Sequence, residues 1–123
     1  MRSLHAFAAG VEILTGAALI ATPSLTAQLL LGAELSGVAV PVGRLAGVGL
    51  LSLGIACLPG KNAVAQPASL AILAYNALVA LFLIAVGVQG EWTGVLLWPA
   101  VALHVALTGL LARDWLARTP QHF

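Results

Sequence analysis

The chain has 123 residues, of which 61% are hydrophobic and only 7% charged, whereas a soluble domain carries about 25% charged residues to clothe its surface. A soluble fold of this length would leave about a third of its chain surface in water, so the composition excludes an ordinary water-soluble domain and points to a bilayer. A net charge of +1 with no run of Lys or Arg excludes the electrostatic footprint of a nucleic-acid binder.

The first apolar run, Leu4 to Thr22, contains the stretch AFAAGVEILTGAALIA, in which Glu12 is the one carboxylate. Arg2 followed by an apolar stretch and small residues has the outline of a signal peptide, but Glu12 would fall inside its apolar region. A retained first transmembrane helix is therefore expected. Pro23 closes it, and Ser24 in the following SLTAQLLLG can cap a short interfacial helix whose leucines face lipid while Thr26 and Gln28 face headgroups.

The second run, Val38 to Leu58, includes PVGRLAGVGLLSLGIA. At helical spacing Gly43, Gly47 and Gly54 share one face, and the GxxxG pair Gly43/Gly47 marks a close helix crossing, within the chain or between copies of it. Arg44 stands six residues into this run, where it can snorkel outward or reach into the bundle. Cys57 lies in apolar sequence, with no second cysteine to pair with, and reads as small core packing.

The third run, Ala68 to Val88, carries Tyr75 and Asn76, and the fourth, Gly94 to Ala112, carries His104. Trp92 and Trp98 at one end of the fourth run and Trp115 at the other read as interfacial anchors. The expected fold is thus all-α: an integral membrane four-helix bundle, one transmembrane domain over residues 1–123. An inside N-terminus puts Arg2, Lys61, Arg113 and Arg118 on one side and Glu34 and Glu91 on the other, so both termini are expected to be cytoplasmic.

Three polar residues then fall at one level. Glu12 is eight residues past Leu4, Asn76 eight past Ala68, and His104 eight before Ala112, so a rise of 1.5 Å per residue puts each about 12 Å deep. Polar groups are costly in hydrocarbon, and three at one depth suggest a common interior point. A buried Glu can donate to His or Asn when protonated or face an imidazolium when ionised. His5, seven residues before Glu12 on the same helical face, and Thr15 or Thr108 could extend the donors toward the cytoplasm, and Tyr75 could add a hydroxyl. The same residues could instead serve only as interhelical hydrogen bonds. Metal ligands at useful spacing, a histidine pair for haem, a phosphate loop, a nucleophile elbow and a CxxC motif are all missing, so neither catalysis nor a cofactor is expected.

The stretches VGRLAGVGLLSLGIA, AYNALVALFL and WPAVALHVALTGLL resemble the DoxX-like group of small bacterial four-helix membrane proteins. That resemblance implies a four-helix bundle of the bacterial inner membrane, sometimes tied to a membrane redox or maintenance system, and no particular reaction. AGVEILTG is also similar to the glutamate-bearing first span of the small multidrug resistance family, which implies exchange of a cation for protons at Glu12. The chain departs from that family in its clear charge bias and in lacking an aromatic-lined site. The expected role is a small accessory or ligand-binding membrane protein, with a membrane-protein partner or a second copy and a small apolar or cationic ligand as candidate partners. The alternative is a proton-coupled small-molecule transporter using Glu12.

Overall fold

The structure is a computed structural model that describes residues 2–59 and 66–118. It contains five helices in chain order: α1 (Arg2–Ala21), α2 (Pro23–Leu31), α3 (Ala39–Ala56), α4 (Gln66–Gln89) and α5 (Leu97–Arg118), with no strand among the described residues. Four of them are long and apolar enough to cross a membrane, over Ser3–Ala21, Ala39–Ala56, Pro67–Gln89 and Leu97–Arg118. The protein is a multi-pass helical membrane protein. Its outward surface fits that solvent, because large apolar side chains such as Leu14, Leu45, Leu81, Phe82 and Val88 stand exposed around the bundle, a surface that lipid accepts and water does not. Lys61 and the side chain of Arg2, two of the basic groups expected on the cytoplasmic side, lie outside the described residues.

α1 packs most extensively on α3, and α4 on α5, so the bundle consists of two helical hairpins with a more lightly packed seam between them. Contacts between His5 and Ser69, and between Cys57 and Ala68, bring the start of α1, the end of α3 and the start of α4 to one end of the molecule. The end of α5 joins them through Asp114 and His5.

Within the first hairpin the backbones touch. A Cβ on Gly47 would sit 2.7 Å from the Gly16 carbonyl oxygen, and one on Gly54 would sit 2.8 Å from the Ala9 carbonyl. Only glycine permits that approach, which is how small residues drive helix association in lipid. Gly43 does not take part in this crossing. Its α-carbon faces Leu35, in the connection that precedes α3, and Pro23 at the start of α2.

The ends of two helices differ from the sequence expectation for local reasons. α2 starts one residue after α1, with Thr22 as its N-cap and Pro23 in the first turn. Ser24 does not cap it; its hydroxyl donates to the Leu35 carbonyl (3.1 Å) and ties the connection down. α5 begins at Leu97 rather than Gly94, because the Gly94 and Leu96 amides donate to the carbonyls of Leu30 (3.1 Å) and Leu29 (2.8 Å) in α2. A Cβ on Gly94 would collide with the Leu29 carbonyl oxygen. At its other end α5 runs on to Arg118, six residues past the expected Ala112, with an i,i+4 pair between Asp114 and Arg118.

Candidate functional site

Each inward face is a stripe at three- and four-residue spacing. α1 buries His5, Ala8, Ala9 and Glu12; α4 buries Ser69, Ile72 and Asn76; α5 buries His104, Leu107, Leu111 and Asp114. These stripes meet along the seam between the hairpins, and the buried polar side chains there sort into two levels.

The level at the bundle end is built on His5, which is fully buried. Its Nε2 lies 2.9 Å from the Ser69 hydroxyl and 3.8 Å from Oδ2 of Asp114. The Arg118 guanidinium forms an ion pair with that same Oδ2, its Nε 2.9 Å away. Three helices are therefore joined by one imidazole. An open cleft of about 360 Å³, lined by Leu110, Arg113, Asp114 and Ala117, reaches this carboxylate from outside.

The deeper level holds two pairs. Asn76 donates from Nδ2 to the Ile72 carbonyl (2.8 Å), one turn back on α4, and this orients its amide. Oδ1 then faces Nδ1 of His104 at 2.8 Å, and since that oxygen can only accept, His104 carries a proton on Nδ1. Tyr75, the residue before it on α4, points about 100° away around the helix, with its hydroxyl in reach of the Glu12 carboxyl across the seam. The Tyr75 and His104 rings meet edge to face, with centroids 6.4 Å apart. Glu12 is 1% exposed, and its Oε1 has no hydrogen-bond partner.

The structure thus brings Glu12, Tyr75, Asn76, His104 and His5 into one seam, with His5 a level away from the others. Glu12 touches Tyr75, while Asn76 and His104 satisfy each other. Arg44 is exposed on α3 and is not among them. Thr15 and Thr108 do not extend the network either: their hydroxyls donate to the carbonyls of Val11 (2.8 Å) and His104 (2.7 Å) on their own helices.

Sequence reasoning passed over Ser69 and Asp114. Both were detectable in principle, since Ser69 precedes Asn76 by two turns and Asp114 continues the stripe His104, Leu107, Leu111. Asp114 lies two residues beyond the apolar run that ends at Ala112, which is why depth along that run does not point to it. Among the described residues no three of His, Cys, Asp and Glu form a group able to hold a metal ion. The chain matches no family model, no curated protein and no solved structure. Its site is therefore read from geometry and chemistry.

Proposed function

We propose that the protein is a small accessory component of a bacterial inner membrane, and that it binds a small hydrogen-bond donor or cation, at its smallest a proton, on Glu12. The single observation that carries this reading is the Glu12 Oε1 atom, buried in the seam with no partner while the Asn76 and His104 groups beside it are paired. A buried acceptor left unmade costs about 1 to 3 kcal/mol, more when charged, and a carboxylate inside a membrane marks a pathway or ligand site by default. The resemblance to the DoxX-like group supports a place beside a larger membrane assembly.

Infrared difference spectroscopy across a pH titration tests the site. A carboxylic-acid C=O band that titrates reversibly in the parent and vanishes in Glu12→Gln is the expected result, because Gln keeps one donor and one acceptor but exchanges no proton. A Glu12→Gln protein that folds and shows an unchanged set of titrating bands would overturn the reading.

Proton-coupled transport is the second reading, favoured by the separate polar level and open cleft at Asp114. Proteoliposomes carrying a pH dye should then lose an imposed proton gradient faster than empty vesicles, and the Glu12→Gln protein should abolish the difference.

The excess of basic residues at the shared end of the helices supports cytoplasmic termini. A reporter fused after Phe123 should accordingly be active in its cytoplasmic form, and activity of a periplasmic reporter at that position would reverse the topology.

A further inference from the structure

Between the two polar levels the seam is apolar. His5 and Glu12 are seven residues apart on α1, as are Ser69 and Asn76 on α4, so the levels are separated by about 10 Å of helix rise. That gap is filled by Ala8, Ile72, Leu107 and Leu111, all buried in one apolar cluster with Leu4, Ala9 and Cys57. Among the described residues no hydroxyl bridges it, since Thr108 is turned to its own backbone. Among the described residues this layer places apolar side chains between the two polar levels.

The two directions out of the deeper level are not equivalent. Toward the His5 end lie Ser69, Asp114, Arg118 and the cleft beside Asp114 and Arg113. Toward the opposite end the buried side chains beyond His104 are apolar: Ala80 and Leu83 on α4, Leu97 and Val101 on α5. All the buried polar side chains among the described residues lie at the two levels, none beyond them. A proton or small cation leaving water meets buried polar side chains, among the described residues, on the His5 side only.

We propose that the Ala8, Ile72, Leu107 and Leu111 layer is a closed apolar gate, and that the proton or cation bound at Glu12 arrives from the bundle end that carries Asp114. This rests on the reading of Glu12 as a ligand site and adds its route and its control. Opening needs the α1–α3 hairpin and the α4–α5 hairpin to part at this layer, where the seam is lightly packed, while the close backbone contacts lie within the first hairpin and, at the far end, between α2 and the start of α5. The incoming proton passes Asp114, His5 and Ser69, crosses the wetted layer and forms an O–H bond on the Glu12 carboxylate; release retraces the same steps. The groups facing the path are His5 and Glu12 from α1, Cys57 at the end of α3, Ser69, Tyr75 and Asn76 from α4, and His104, Arg113, Asp114 and Arg118 from α5.

Access to Glu12 can be read without any transport assay, by a water-soluble carbodiimide with an amine nucleophile and mapping of the adducts by mass spectrometry. The exposed Glu34 and Glu91 serve as internal standards in the same sample. Ile72→Thr keeps the branched shape and adds a hydroxyl in the layer. It should raise Glu12 modification relative to the standards about tenfold, the effect of about 1.4 kcal/mol on an opening equilibrium. Leu111→Asn, in the same layer on α5, should act in the same direction and decides the matter if Ile72→Thr does not fold. Leu83→Thr, on the far side of the site, should leave Glu12 as protected as in the parent. Equal labelling in Leu83→Thr would overturn the route, and an unchanged rate in folded Ile72→Thr or Leu111→Asn would overturn the gate. Because labelling reports access alone, either failure is distinct from the loss of a Glu12 titration band that tests the site itself.

Discussion

Gly47→Leu should not assemble into the parent bundle. The position is buried, and a Cβ there already falls 2.7 Å from the Gly16 carbonyl oxygen and 2.8 Å from the Leu19 Cβ. Backbone cannot yield as a side-chain tip can, so α1 and α3 must separate to admit the new side chain, and the hairpin loses the contact that holds it. Overpacking costs about 1 to 3 kcal/mol in ordinary cores, and a clash against a backbone oxygen and the first side-chain atom of Leu19 belongs at the upper end or beyond. Thermal unfolding in detergent, followed by circular dichroism and size-exclusion profile, should show a large drop in midpoint or loss of the monodisperse species. Gly49→Leu is the matched control, because a Cβ on Gly49 meets nothing within 4 Å. If Gly47→Leu melts with the parent, the crossing described above is not the one the protein uses.

The second large effect concerns Asn76. Asn76→Leu removes the acceptor of the His104 Nδ1 proton and the donor to the Ile72 carbonyl in one step. A buried donor without a partner costs about 1 to 3 kcal/mol, although hydrogen bonds between membrane helices measured by double-mutant cycles average about 0.6 kcal/mol. The cycle itself decides which scale applies here. Asn76→Leu alone should be the most destabilising member, and Asn76→Leu with His104→Leu should cost clearly less than the sum of the two single changes, since two apolar partners leave nothing unsatisfied. Strict additivity would mean that the Asn76 and His104 side chains do not hold each other in the folded protein.

Glu12 differs from that pair in kind. Asn76 and His104 complete each other, so removing one exposes the other. The Glu12 carboxyl reaches the Tyr75 hydroxyl but keeps an oxygen without a partner, which is a poor arrangement for a purely structural hydrogen bond and a suitable one for a group that binds and releases something. Helix registry therefore falls naturally to the Asn76/His104 pair and to the imidazole of His5, and the exchangeable chemistry to Glu12.

The sequence by itself determined the apolar surroundings, the number of spans and the level of the polar residues along the helices. Hydrocarbon admits only long apolar helices, so four such runs announce a four-span bundle, and the constant rise of a helix converts position along the chain into depth. That is why Glu12, Asn76 and His104 could be placed at one level, and His5 two turns from Glu12, before any fold was known. Which neighbour each side chain takes was decided only in three dimensions, because it depends on how each helix is rotated about its own axis. Tyr75 and Asn76 are adjacent in the chain, yet one faces Glu12 on α1 and the other His104 on α5. The rotation of α1 is set by the contact of Gly16 with Gly47, a pairing of two glycines in an alanine- and glycine-rich chain that no spacing rule singles out. Asp114 and Ser69 came to His5 by the same packing. So did the apolar layer between the levels: Ile72, Leu107 and Leu111 look like any other apolar residues of a membrane helix until the tertiary structure sets them side by side across the seam.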